Sequence, residues 1–220
     1  DNVYFDSLSF DVDLEFENLQ KVFSQLDNSI EVLNNESNRA FLPKVTVLTS
    51  GFFNDIVVNQ DNIVIGLDYF LPKSNKYKPR DLPSYILDRY TPEHLNAISL
   101  STYLSQFNLI NELDLTMVNE MISFGKLYYV VSKLLPCAQQ RIILGYSTEE
   151  YNLLEENEAF IYSYFLQNEL LFEESNLIKQ KYLSERPSTF EISQSVPGRV
   201  GRWLGWKIVS SFMLSSTYTL

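Results

Sequence analysis

The chain contains one cysteine and one histidine, and these two counts restrict what can hold its fold together. The lone cysteine, Cys137, forms no internal disulfide, and one histidine with one cysteine cannot build a zinc site of the Cys₄, Cys₂His₂ or His₂Glu type. The fold must therefore rest on an apolar core. Since the 220 residues are 45% hydrophobic and 14% aromatic, we predict a single globular domain over residues 1–220, with no metal and no cofactor.

The charge balance is strongly acidic. Seventeen Lys and Arg stand against 28 Asp and Glu, which gives a formal net charge of -11. Such a chain repels nucleic acid and anionic lipid at long range, so we expect no nucleic-acid partner. The sequence contains no apolar run of 18 residues, and its first residues do not resemble a secretory leader. We therefore expect a soluble domain, with any leader already removed.

The first 70 residues predict one helix and a small sheet. Apolar residues recur at helical spacing, which predicts an N-terminal helix over about 15–33. A β-branched segment bounded by Pro43 and Gly51 predicts a strand, and two further apolar segments predict a hairpin, so the sheet covers about 44–70. The basic segment 71–80 is predicted to be an exposed loop.

The remainder, about 91–214, is predicted to be helical. One helix begins at Thr91-Pro92 and another runs over about 115–135. Ser147 and Glu150 form a capping box that begins a helix extending to about Phe172. The last helix runs from Arg199 to about 214. The predicted fold class is therefore α+β, mainly helical with a small sheet.

The candidate site residues are Glu155, Glu158, Arg199 and Arg202. Glu158 interrupts an apolar stripe, so we expect it to be buried and paired. Arg199 and Arg202 lie near a helix start, where cations are slightly unfavourable and anions compensate. Two interpretations remain: an internal ion pair with Glu158 or Glu155, or a site that binds an external anion or carboxylate terminus. We favour the internal pair and predict no catalytic residue.

The single histidine does not indicate catalysis. His94 lies in a helix start without a serine or cysteine nucleophile motif, which favours a surface or capping role. Cys137, next to Pro136, is interpreted as an inert structural thiol.

Six stretches resemble, in order, the gliding-motility lipoprotein family GldB of Bacteroidota. They are TVLTS (46–50), IGLDYFL (65–71), MISFGKLYY (121–129), GYSTEE (145–150), ENEA (156–159) and SVPGRVGRWLGWKIV (195–209). The resemblance implies a domain that faces the periplasm, held by a lipid anchor upstream of Asp1. It also implies partners among the gliding-motility proteins and the linked type IX secretion machinery of the cell envelope.

The resemblance further implies a tie to zincin-like metallopeptidases. In those enzymes a helix with two histidines and a glutamate precedes a helix with an acidic ligand. Here the first helix has no second His and no Glu after His94, and Phe124 stands where the acidic ligand would fall. We therefore expect a zincin-like architecture without the metal site. The predicted function is a non-catalytic scaffold or interaction module; the alternatives are a divergent metallopeptidase-like enzyme or a peptide- or carbohydrate-binding protein.

Overall fold

A computed structural model of the chain describes residues 3–37 and 40–217. Over these ranges it contains ten α-helices and three β-strands, so the fold is α+β and mainly helical, as predicted. The described residues group into two compact units. The first holds those up to Gln106 together with Lys133–Ala138, and the second holds Phe107–Ser132 with those from Gln139 onward. The single-domain interpretation stays a prediction.

The first unit combines helices with the sheet. Its elements are α1 (Val3–Glu15), α2 (Leu19–Glu36), β1 (Lys44–Leu48), β2 (Ile56–Asn59), β3 (Asn62–Gly66), α3 (Ser84–Leu87) and α4 (Leu95–Ser105). The strands lie in the order β1-β3-β2, with β1 parallel and β2 antiparallel to β3. The predicted hairpin is thus β2–β3. Ile63 and Ile65 of the central strand are fully buried, as expected for alternate residues on one face.

A buried aspartate fixes the turn that follows β1. Asp68 is 1% exposed, and its carboxylate accepts hydrogen bonds from the Ser50 backbone N–H at 2.7 Å and from that of Phe52. These bonds hold Phe52 in a left-handed conformation with φ 61°. Two of the stretches that carry the family resemblance, 46–50 and 65–71, therefore meet at this turn.

The start of the chain differs from the prediction. The helix predicted over about 15–33 begins at Leu19 and runs to Glu36, and a further helix, α1, precedes it. Leu8 and Val12 of α1 are buried, whereas Phe10 and Leu14 are 67% and 66% exposed. Because apolar residues lie on both sides of α1, its sequence lacks the one-sided periodicity by which an amphipathic helix is recognised.

The second unit is helical. It contains most of α5 (Met117–Leu134), then α6 (Gln140–Leu144), α7 (Thr148–Glu156), α8 (Glu158–Gln167), α9 (Asn176–Leu183) and α10 (Val200–Ser215). Its largest buried side chains include Trp203, Phe165 and Met117. The helices α5 and α10 approach closely: a Cβ on Gly205 would lie 1.9 Å from the carbonyl oxygen of Met121.

The helix predicted from Ser147 to about Phe172 is interrupted. The capping box is confirmed, since Ser147 Oγ accepts from the Glu150 N–H and the Glu150 carboxylate accepts from the Ser147 N–H. However, α7 ends at Glu156, and Asn157 leaves helical geometry with φ -109° and ψ 14°. Its side chain donates to the Leu153 carbonyl at 2.8 Å. Such a side-chain bond competes with the hydrogen bonds of the helix, and α8 then begins as a separate element.

Candidate functional site

The first residue of the predicted site, Arg199, lies at the start of α10 in an unusual backbone conformation. Its φ is 63°, in the left-handed region, and its side chain is buried, with only 4% of the residue exposed. The preceding Gly198 is required because a Cβ there would lie 2.0 Å from the Arg186 carbonyl oxygen. The Tyr146 hydroxyl donates to the Gly198 carbonyl at 3.0 Å. The chain is therefore tightly constrained where the guanidinium enters the core.

The buried guanidinium of Arg199 binds the C-terminal end of α6. It donates to the Leu144 carbonyl at 3.0 Å and to the Gly145 carbonyl at 2.6 Å. A cation is favourable there because helix C-termini carry partial negative charge and unpaired carbonyls. The Glu185 carboxylate lies 3.4 Å from Nε, and the Tyr146 ring lies 4.8 Å from the guanidinium carbon. The two Nη atoms of Arg199 are thus hydrogen-bonded within the chain, whereas Nε lies near the Glu185 carboxylate without a hydrogen bond to it.

Arg202 lies one turn further along α10 and shares the same carboxylate. Its Nη1 is 3.3 Å from Glu185, and its Nε donates to the Leu183 carbonyl. The guanidinium carbon lies 4.3 Å above the ring of Phe124, within the range of a cation–π interaction. Glu185 therefore bridges both arginines. We call Arg199, Arg202 and Glu185 the arginine clamp.

The two predicted glutamates pair with a lysine instead. Lys207 Nζ lies 3.0 Å from the Glu155 carboxylate and 2.7 Å from that of Glu158. Burial by itself lowers the pKa of Lys207, but the hydrogen bonds from Lys207 to these glutamates more than offset it and raise the pKa overall. Trp203 Nε1 also donates to Glu155 at 3.3 Å.

Two details of the sequence interpretation are corrected by this geometry. The expected pairing of Arg199 and Arg202 with Glu155 or Glu158 is wrong, because Glu185 fills that role. The expected burial of Glu158 is also wrong: its side chain is 45% exposed. Because α8 begins anew at Glu158, the side chain lies in the first turn of a separate helix, where a carboxylate is favourable.

Sequence reasoning missed Glu185 and Lys207. Lys207 could have been found from its spacing, because Arg199, Trp203 and Lys207 follow one another at intervals of four residues and so share one face of α10. Glu185 had none. It follows α9 in an irregular segment, so no periodicity relates it to α10.

The single histidine is buried in the first unit. His94 is 4% exposed, and its Nδ1 lies 2.7 Å from the Thr91 hydroxyl. The surface position considered for it is therefore wrong, and the residue belongs to the core beside the start of α4. Across residues 3–37 and 40–217 no group of three or more His, Cys, Asp or Glu side chains is arranged to hold a metal ion.

The first unit contains a cleft of about 690 Å³. Its walls come from α2, the start of α4 and the segment 134–138, with Leu135, Pro136 and the exposed Cys137 on one side. Amide side chains of Gln25, Asn28 and Asn96 line it as well. The volume falls within the range of ~300–1,000 Å³ that ligand-binding clefts have in general.

The fold and the clamp together define a mainly helical α+β protein whose buried arginine serves internal structure. The family model described as "Gliding motility protein GldB" matches residues 1–220, and the chain belongs to this family of gliding motility proteins. No curated protein and no solved structure matches it. Among the helices that the structure describes, none is both long and apolar enough to cross a membrane.

Proposed function

We propose that this protein is a non-catalytic interaction module of the gliding machinery, placed in the cell envelope. In this proposal a lipid anchor outside the present sequence holds the domain on the periplasmic side, where it supports gliding motility and the linked type IX secretion. Its partners are other envelope proteins of the same machinery. Membership of the GldB family supports the motility role.

A structural rather than catalytic use of the charged residues supports the non-catalytic part. Glu185 pairs with both Arg199 and Arg202, and both arginines donate to backbone carbonyls, so these charged groups stabilise the fold. Phe124, which stands where a zincin-like enzyme has an acidic ligand, supports the Arg202 guanidinium instead. The proposed architecture is thus one related to the zincins in which this position serves packing.

The observation that carries the interaction role is the outer face of α1. Val3, Phe10 and Leu14 follow the helix at spacings of seven and four residues, so they share one face, and each is at least 66% exposed. Asp6 and Asp13 are also exposed and lie beside this stripe. Exposed apolar side chains that share one helix face and are bordered by charge are typical of protein–protein contact surfaces. A partner segment with apolar residues flanked by basic ones would complement this face.

Complementation of a gliding strain that lacks the gene tests the proposal. We expect a Phe10→Ser/Leu14→Ser variant to fold with an unchanged melting temperature and to fail to restore colony spreading. Phe53→Ser is the matched control, because Phe53 is 84% exposed and lies on a loop. If the α1 variant spreads as well as the control, the interaction role of α1 is refuted.

The metallopeptidase alternative predicts a different metal content and activity for the purified protein. An enzyme of that class would contain stoichiometric zinc and lose peptidase activity on chelation. Elemental analysis and a peptidase assay before and after chelation measure both. Zinc-dependent hydrolysis would overturn the non-catalytic proposal.

A further inference from the structure

We propose that two copies of this protein associate by antiparallel pairing of their β1 strands, which joins two three-stranded sheets into one. The inference goes beyond the interaction role proposed for α1 and uses a different surface of the first unit. It starts from the position of β1 at the end of the strand order β1-β3-β2, where β1 pairs with β3 on one side. An edge strand presents backbone N–H and C=O groups to which another strand can bond.

The register shows which backbone groups of β1 point outward. The Lys44 N–H donates to the Asp61 carbonyl at 2.7 Å, so the backbone groups of Lys44 point toward β3. Because successive residues of a strand alternate, the N–H and C=O of Val45 and Val47 point away from β3. None of these four groups is hydrogen-bonded to another residue that the structure describes. The free edge of β1 thus carries two donors and two acceptors.

One antiparallel register satisfies all four groups in both copies. In this register Val45 of each copy lies opposite Val47 of the other, and each such pair exchanges two hydrogen bonds. A shift in one direction would pair Val47 with Pro43, which has no N–H. A shift in the other direction would pair Val45 with Thr49, which lies beyond the end of β1. The register that remains places Thr46 opposite Thr46 of the second copy.

The apolar side chains of β1 suit this pairing. Val45 and Val47 are the register partners of Ile63 and Ile65, which are fully buried, so all four side chains lie on the same face of the sheet. Pairing Val45 of one copy with Val47 of the other continues this apolar face into the second copy. Branched side chains pack well against such cross-strand neighbours, and a pair of threonines is favourable as well.

The charges of β1 do not oppose the pairing. Like charges directly opposite one another destabilise paired strands, and a lysine on an edge strand often prevents pairing for this reason. Lys44 is the charged residue of β1, and in this register it lies opposite Leu48 rather than opposite a second lysine. Each copy has a net charge of -11, so the two copies repel at long range until salt screens the repulsion. We therefore expect weak association that strengthens with salt.

Two single-cysteine variants test the register. Thr46→Cys and Leu48→Cys are made in the full chain with Cys137→Ser, which removes the native cysteine. The Cα atoms of residue 46 in the two copies would lie about 4.5 Å apart, within disulfide range, whereas those of residue 48 would lie about 14 Å apart. On mild oxidation we expect Thr46→Cys to form a disulfide-linked dimer about tenfold faster than Leu48→Cys. Random collision would give the opposite order, because Leu48 is more exposed than Thr46.

Sedimentation equilibrium of the native chain in about 0.5 M NaCl measures the association itself. Because β1 is five residues long, the contact is smaller than the ~1,200 Å² of stable complexes, and we expect a Kd of roughly 0.1–1 mM. Val47→Pro removes an outward N–H and keeps the bonds to β3, so it should abolish the dimer. Val47→Thr keeps both the N–H and the branched shape; it is the matched control and should associate like the native chain.

Three results would each overturn the proposal. They are a native chain that stays monomeric up to about 1 mM, equal oxidation rates of the two cysteine variants, and equal association of Val47→Pro and Val47→Thr. If Val47→Pro does not fold, the comparison of Thr46→Cys with Leu48→Cys decides the matter. These assays contain no other motility protein, so their failure refutes the β1 contact and leaves the gliding role to the complementation test.

Discussion

At the scale of single residues, Arg199 combines a strained backbone with a buried charge. The side chain binds two backbone carbonyls and one carboxylate, so its removal leaves buried acceptors without a donor. We expect Arg199→Ala to lower the free energy of unfolding by about 3 kcal/mol. Because the residue has φ 63°, which glycine adopts freely, Arg199→Gly should cost about 1 kcal/mol less than Arg199→Ala.

Urea unfolding of both variants measures these differences. Arg80→Ala, a change at an exposed arginine, is the control and should stay within about 0.5 kcal/mol of the native chain. Glu158→Ala should cost less than about 1 kcal/mol, since half-exposed ion pairs contribute little. If Arg199→Ala were as stable as Arg80→Ala, the clamp would not hold the fold.

A second prediction at this scale concerns alkaline pH. Burial raises the pKa of Tyr151 well above its usual value, and the neighbouring Glu155 carboxylate raises it further. The unfolded chain releases this proton near pH 10, whereas the folded chain keeps it. The stabilisation of the folded state by neutral Tyr151 is therefore fully present below pH 10 and is lost as the pH rises above it. We expect Tyr151→Phe to lose less stability than the native chain between pH 8 and 11, as urea unfolding at each pH would show. Equal losses would contradict this.

At the scale of elements, the contact between α5 and α10 depends on glycine. A Cβ on Gly205 would meet the Met121 backbone at 1.9 Å, and backbone cannot move aside without shifting a helix. We expect Gly205→Ala to destabilise the protein by about 3 kcal/mol or more.

Gly201 provides a matched comparison on the same helix. A Cβ there would lie 2.8 Å from Leu183 Cδ2, the end of a side chain, and 3.3 Å from the Tyr182 carbonyl oxygen, so the clash with backbone is much milder than at Gly205. Since alanine also gains up to about 1 kcal/mol of helix propensity, Gly201→Ala should destabilise the protein clearly less than Gly205→Ala. Thermal unfolding of the two variants distinguishes them, and similar melting temperatures would show that α10 is free to shift.

At the scale of the whole molecule, the first unit is assembled from separate parts of the chain. Ser29 of α2 is 1% exposed, and its hydroxyl donates to the Leu134 carbonyl at 3.0 Å. Leu134 and Leu135 are themselves 4% and 8% exposed, so the segment 133–138 completes this unit's core.

We therefore predict that a fragment of residues 1–106 does not fold cooperatively. It lacks Leu134 and Leu135, whose removal exposes apolar surface worth roughly 1.5–3 kcal/mol for each side chain, and it leaves Ser29 without its partner. Circular dichroism with thermal unfolding measures this. A fragment of residues 1–138 contains the missing segment and serves as the comparison. A sharp unfolding transition for 1–106 would show that the segment is dispensable.

Much of the organisation follows from local signals. The capping box at Ser147, the strands around Gly51 and the start of the helix after Thr91 each depend on a few neighbouring residues, and each is confirmed. The break at Asn157 was not predicted, because helical periodicity does not reveal the hydrogen bond from its side chain to the Leu153 carbonyl. The helix α1 was missed because its apolar residues lie on both its buried and its exposed sides, so that its sequence has no one-sided helical periodicity.

The sequence by itself determined that this chain alone can form neither an internal disulfide nor a zinc site of the Cys₄, Cys₂His₂ or His₂Glu type, that its charge is strongly acidic, and that it resembles the GldB family. It also identified Arg199 as a residue in need of an anion. Only the tertiary structure decided that Glu185 is that anion and that Lys207 forms ion pairs with Glu155 and Glu158. The physical reason is that periodicity specifies which face of a helix is apolar, whereas the partner of a charge depends on which distant loop packs against that helix.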